Sequence, residues 1–206
     1  MKPTRKARFK KRSVGGVVFT LVLTTAIAGP VWAADPSALW FFGDSPTDEG
    51  RNSRTAPIMW PQIIRSDLGA SAGINYAIGG AITSNQPSAT FGDTSFLGQV
   101  RSFTATTPAL GANPVAGVWI GTNNIWQGSA QGLAPTLIVS SAVEDVKSGL
   151  TQISGAGVHT TYLLGVYVLS LTNAYDLAGA NTPAVRRAAA TASQQYNSNY
   201  SPSLQT

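Results

Sequence analysis

The chain has 206 residues, 43% of them apolar and only 11% charged, which suits a folded domain with a core and excludes a disordered polyelectrolyte. Its formal charge of +5 resides at the amino terminus: residues 1–12 hold seven of the 14 Lys and Arg and no acid. Residues 34–206 carry seven basic against nine acidic side chains, a balance of −2 that lacks the basic footprint of a nucleic-acid-binding protein. With no cysteine in the chain, neither a disulfide nor a lipid-anchored amino terminus is available.

After the basic start, residues 13–34 are uncharged, with an apolar centre at 17–23 and a small-residue exit at Val31-Trp32-Ala33. This is the pattern of a Sec-type signal peptide over 1–33, cleaved near Ala33, and it implies a secreted or periplasmic protein. An uncleaved anchor holding the protein at a membrane surface is the rival reading, since 22 uncharged residues just reach across a bilayer. Residues 34–206 form the remaining single domain.

Along that domain, apolar runs alternate with helical periodicity. Residues 38–42 read as a first strand and 58–68 as the first crossover helix. A second short strand is expected at 74–78, a helix fragment at 96–103 and a third strand at 115–120. The clearest amphipathic pattern spans 137–153, with Ile138, Val139, Ala142, Val146, Leu150 and Ile153 on one stripe. A fourth strand is expected at 161–171 and a last helix over 183–200, with Pro183 in its first turn. Alternation of this kind predicts an α/β fold, a parallel sheet with helices on both faces.

Three of the expected strands end in small or polar clusters: Gly43-Asp44-Ser45, Gly79-Gly80 and Gly121-Thr122-Asn123. In a parallel sheet all three fall on one rim, where the ligands of α/β folds gather. Ser45 there is a candidate nucleophile for an ester carbonyl. The backbone N–H of Gly79 or Gly80 and the amide of Asn123 are candidate donors to the oxygen that becomes negative.

Three sequence blocks in order resemble those of the GDSL or SGNH hydrolases. Phe42-Gly43-Asp44-Ser45, with Asp48, Gly50 and Asn52, is similar to the family's FGDSLSDTGN. Asn75-Tyr76-Ala77-Ile78-Gly79-Gly80-Ala81 is similar to NYAxGGA, and Trp119-Ile120-Gly121-Thr122-Asn123-Asn124 to WIGxND. Trp60-Pro61, Gln99-Val100 and Gly155-Ala156-Gly157 also sit where the secreted, lipase-like branch would have them. The resemblance implies a three-layer α/β/α sandwich similar to flavodoxin-like folds. It implies Ser45 as nucleophile, Gly79, Gly80 and Asn123 as oxyanion donors, and Asp44, Asp48 and Asn124 in support. It implies carboxylic ester hydrolysis through an acyl-serine, without cofactor or metal. The partner would be a small-molecule or lipid ester, the latter bringing transient contact with a lipid surface.

The chain also departs from that family. It has no D-x-x-H block, and its one histidine, His159, follows Ala156 by three residues and stands at the start of the fourth strand, away from Ser45. The expectation is therefore a fold incomplete at its carboxyl end, truncated before that block, with hydrolysis absent or very weak for want of a base. Asn124 stands where the family has aspartate, and this is expected to weaken the bonding that shapes the third block. Pro46 replaces the usual leucine after the serine and removes an N–H there. A non-catalytic ester- or glycan-binding remnant of the same fold is the alternative. Asp93, Glu144, Asp145 and Asp176 show no spacing that suggests a metal.

Overall fold

Parallel pairing around one apolar strand organises the domain. The computed structural model describes residues 36–50, 58–90, 92–106, 108–168 and 182–200. The expected signal peptide lies outside them. Strand β1, Leu39–Gly43, pairs in parallel with β4, Val115–Trp119, and β4 pairs in parallel with β5, Thr160–Leu164. Leu39 to Phe42 are all buried, as expected of a strand covered on both faces and flanked on both edges.

The other edge of β1 is taken by residues 72–78, where a strand was expected. The segment makes only two isolated parallel bridges, Ala38 with Ala72 and Phe41 with Asn75. Gly73, at φ +105°, interrupts the extended run, and a Cβ there would collide with the backbone of Leu39. The backbone bonds nevertheless alternate as in a ladder: the N–H groups of Leu39 and Phe41 donate to the carbonyls of Ala72 and Ile74, and those of Tyr76 and Ile78 to Phe41 and Gly43.

Five helices are present among the described residues: α1 Trp60–Asp67, α2 Phe96–Thr106, α3 Thr122–Ala130, α4 Pro135–Gly155 and α5 Pro183–Tyr200. A two-residue-per-strand hairpin, β2 Pro87–Ser88 with β3 Gly92–Asp93, precedes α2. Strand periodicity sends Trp40 and Phe42 to one face of the sheet, where they meet Phe103 of α2 at ring-centroid distances of 5.2 and 5.5 Å. Ile138, Val139, Ala142, Val146 and Ile153 of α4 and Ala189, Ala192 and Tyr196 of α5 complete this core. The opposite face carries Phe41 and Trp119, covered by α1 through Trp60, whose ring meets Phe41 edge-on at 4.9 Å. Toward β5 that face is open, with Tyr162 45% and Tyr167 37% exposed. The fold is thus α/β with a parallel three-stranded sheet and helices on both faces.

Two further differences have local causes. Strand β5 stops at Leu164, after which the side-chain amide of Asn197 replaces a strand neighbour: Val166 N–H donates to Asn197 Oδ1 and Asn197 Nδ2 to the Val166 carbonyl, both at 2.9 Å. The last residues of the strand expected over 161–171 lie outside the described residues. Helix α3 was not anticipated, because Thr122, Asn123 and Asn124 are weak helix formers. Packing decides for it: Ile125 is fully buried, and Gly128 lies so close against Ile138 that a Cβ would come within 2.6 Å of it.

The order 72–78, β1, β4, β5 has one consequence for function. The chain leaves β1 toward one edge and later returns across it to β4, so its winding reverses between β1 and β4. The crevice outside the carboxyl ends of two such strands is where open α/β sheets bind ligands.

Candidate active site

Gly43 ends β1 against β4 so closely that any Cβ would collide with the Trp119 carbonyl, and its φ is +148°. The next residue crosses to β4, Asp44 N–H donating to Trp119 O at 3.2 Å. One helical turn follows, closed by Thr47 N–H and Asp48 N–H on the Asp44 carbonyl at 2.9 and 3.0 Å. Ser45 and Pro46 occupy its middle, and Ser45 is exposed. Because the closing donors come from Thr47 and Asp48, the N–H that Pro46 lacks is not needed by the turn.

The turn is fastened on several sides. Trp60 Nε1 donates to Thr47 Oγ1 at 3.2 Å, and Asn75 Nδ2 donates to the Thr47 carbonyl at 2.6 Å. Gln99, buried on α2, accepts the Gly43 N–H through Oε1 at 2.8 Å and donates through Nε2 to the carbonyls of Gly43 and Thr94.

Three strand-end clusters expected on one rim are indeed neighbours, and two carboxyl groups of the serine turn join them. Asp48 Oδ2 accepts the Gly79 N–H at 2.7 Å while Oδ1 accepts the Gly50 N–H at 2.9 Å. Asp44 Oδ2 accepts from Asn123 Nδ2 at 3.2 Å, and the same nitrogen donates to the Ala81 carbonyl at 2.9 Å. The amide hydrogens of Asn123 and the N–H of Gly79 thus all point to acceptors within the protein. Gly80 differs: its N–H has no acceptor among the described residues, its φ is +85°, and a Cβ built there would meet nothing within 4 Å.

Asp44 is fully buried, and Oδ1 has no partner among the described residues. Burial pushes its carboxyl up from 3.8 to about 8 against the opposing pull of a backbone hydrogen bond, so it is mostly the neutral acid at pH 7. Tyr167, whose ring meets Trp119 at 5.4 Å, is raised to about 12 by burial and then by the charge of Asp44.

Asn124 does not loosen the third block as expected. It accepts the Thr83 N–H through Oδ1 at 3.0 Å and donates through Nδ2 to Thr83 Oγ1 at 2.9 Å, a pairing that an ionised aspartate has no hydrogen to complete. Thr83 Oγ1 and Ser84 Oγ in turn donate to Asp145 Oδ2 on α4, at 2.6 and 2.7 Å. Asp145 carried no signal in the sequence, whereas Gln99 did: it is a polar residue on the otherwise apolar stripe of α2.

His159 immediately precedes β5, whose first residue, Thr160, is in register with Val115 and through it with Leu39. Ser45 lies beyond the far end of β1, so five strand residues, about 16 Å at ~3.3 Å each, separate the two rims. His159 Nδ1 faces Ser154 Oγ at 3.5 Å instead. A depression of about 500 Å³ lined by Thr104, Pro108, Gln152, Gly155 and Ala156 is also at that opposite rim. Among the described residues no three His, Cys, Asp or Glu side chains group as they would around a metal ion, and no helix is long and apolar enough to cross a membrane. No profile of a known protein family matches the chain, and no curated protein matches it with significance.

Proposed function

We propose that residues 34–206 form a secreted serine hydrolase domain of the GDSL/SGNH type that acts on carboxylic esters. The observation that carries this reading is the exposed Ser45 on a fastened turn at the winding reversal between β1 and β4. Ser45 Oγ attacks the ester carbonyl, the open Gly80 N–H faces the oxygen that becomes negative, the alcohol leaves with a proton, and water then releases the acid from Ser45. A small-molecule or lipid ester is the substrate class, and no step calls for a cofactor or a metal. The missing part is a base: the single histidine is on the other rim, and in a comparable serine hydrolase losing the histidine lowers kcat by about 10⁶-fold. Turnover by this chain is accordingly very low.

The non-catalytic reading, an ester- or glycan-binding remnant of the same fold, is favoured by one specific observation. Asn123 and Gly79, two of the three expected donors, are already bonded to Asp44, Ala81 and Asp48. Incubation with a short-chain p-nitrophenyl ester, followed by intact mass and product release for the chain and for Ser45→Ala, decides between the two. An acyl adduct on Ser45 with slow release supports the hydrolase. Equal and substantial rates in both proteins overturn it, and binding without adduct or turnover leaves the remnant.

A further inference from the structure

The side-chain nitrogen of Asn123 is shared between two acceptors. It donates to Asp44 Oδ2 at 3.2 Å and to the Ala81 carbonyl at 2.9 Å. Asp44 directly follows β1, Ala81 follows the segment 72–78, and Asn123 sits in the first turn of α3, just after β4. One side chain therefore ties the three strand-end clusters together across the crevice between β1 and β4. Asn123 is partly exposed, so a ligand oxygen in that crevice competes with Asp44 and Ala81 for its two hydrogens. The Asp44 bond is the longer of the two and is the one to give way.

How firmly Asp44 holds depends on its charge, because a hydrogen bond to a carboxylate is roughly twice as strong as one to a neutral group. The geometry favours the neutral acid. The carboxyl is fully buried, Asn123 is its one side-chain donor, and no Lys or Arg pairs with it among the described residues. Its other oxygen, Oδ1, meets no donor and leaves room for the proton. Of the titratable groups beside it, Tyr167, raised to about 12, stays uncharged while Asp44 titrates. Asp48, in the same turn, has its oxygens on the N–H groups of Gly79 and Gly50. The amino end of α3 works the other way, its partial positive charge favouring the carboxylate.

We propose that Asp44 is a positioning residue that acts through Asn123: as a neutral acid it lets the amide turn to a ligand oxygen, and as a carboxylate it retains the amide within the protein. The value of that turn to catalysis rests on the hydrolase reading; the grip itself does not.

The test follows the ¹³Cγ resonances of Asp44 and Asn123 in the folded protein from pH 5 to 9, together with the rate at which an alkyl fluorophosphonate labels Ser45. In labelling, the Ser45 Oγ–P bond forms, the P–F bond breaks, and fluoride leaves while the hydroxyl proton passes to water. The share of the amide is the ratio of rates for the native protein and Asn123→Ala, in which the general effect of hydroxide cancels. Asp44 and Asn123 are expected to titrate together with a midpoint at about 8. The ratio is expected to be about tenfold at pH 6.5 and to fall below about threefold at pH 9. In Asp44→Asn, which has the shape of the neutral acid, the Asn123 resonance should not titrate and the ratio should keep its pH 6.5 value throughout. A purely structural Asp44 would give Asp44→Asn a lower melting temperature and a ratio independent of pH in both backgrounds, and that result overturns the proposal. So does an Asn123 resonance that stays in place while Asp44 titrates, or an Asp44 that titrates near the ordinary 3.8. If the native chain is not labelled at Ser45 at all, the hydrolase reading falls and the joint titration alone decides the grip. If Asp44→Asn does not fold, the native protein and Asn123→Ala carry the test.

Discussion

Gln99 and Gly43 form a two-way amide pair across 56 positions of sequence: Gly43 N–H donates to Gln99 Oε1 at 2.8 Å, and Gln99 Nε2 donates back to the Gly43 carbonyl at 2.9 Å. The pair fastens the end of β1 to α2 directly before the serine turn. Both partners are buried, so removing one strands the other without water. Gln99→Leu is expected to destabilise the domain by about 2–4 kcal/mol, the cost of leaving more than one buried backbone group unpaired. Urea denaturation followed by tryptophan fluorescence measures it, and a change below about 0.5 kcal/mol would show that the pair does not hold the strand end.

Asp44 predicts an unusual dependence of stability on pH. Its carboxyl titrates near 3.8 when unfolded and at about 8 when folded, so between those values the folded state holds the proton more tightly. Stability from this group is full below pH 3.8 and declines as pH rises to about 8, by up to about 1.4 kcal/mol per pH unit. Asp44→Asn, which cannot ionise, is expected to flatten the curve between pH 5 and 8. Denaturation midpoints of both proteins across that range provide the comparison, and parallel curves would rule the shift out.

Asn124 yields a counterintuitive expectation. Asn124→Asp restores the residue usual in the family that the chain resembles, yet it removes the donor to Thr83 Oγ1 and puts a carboxylate near Asp145, which receives the same hydroxyl. The variant is expected to lose about 1–3 kcal/mol at pH 8. The loss should shrink toward pH 4, where protonation returns a donor. Thermal melts of the two proteins at pH 4 and 8 test both the sign and the pH dependence.

Asn197 substitutes for a strand neighbour at Val166, so Asn197→Leu should act locally. The Val166 amide is expected to lose its hydrogen-exchange protection, with a stability loss of about 1–3 kcal/mol. Exchange at Val166 as slow as in the native protein would mean that another group holds the segment after β5.

Much of the scaffold was legible in the order of residues. The unbroken apolar run before Gly43 and the one over 115–120 read as buried strands from their length and their glycine-bounded ends, and the stripe of Ile138, Val139, Ala142, Val146 and Ile153 as a helix facing a core. The three clusters shared a rim because parallel strands put all their carboxyl ends on one side, a rule that needs no knowledge of contacts. Helix α3 was not legible, since its first residues are poor helix formers whose conformation is stabilised by packing against α4. The segment 72–78 was overread for the opposite reason: its apolar residues suit a strand, but Gly73 passes too close to Leu39 for a regular one.

By itself the sequence determined the class of fold, the serine at the carboxyl end of the first strand, and the separation of His159 from it, because periodicity and chain direction are local properties. That this strand end lies at a winding reversal came from the strand order. Only the tertiary structure decided which donors stand open. Whether Gly79 is tied to Asp48, Asn123 to Asp44 or the Gly80 carbonyl to Gln86 depends on side-chain directions. The first two of these pairs are 31 and 79 residues apart, and a hydrogen bond across such a span leaves no periodic trace in the chain that makes it.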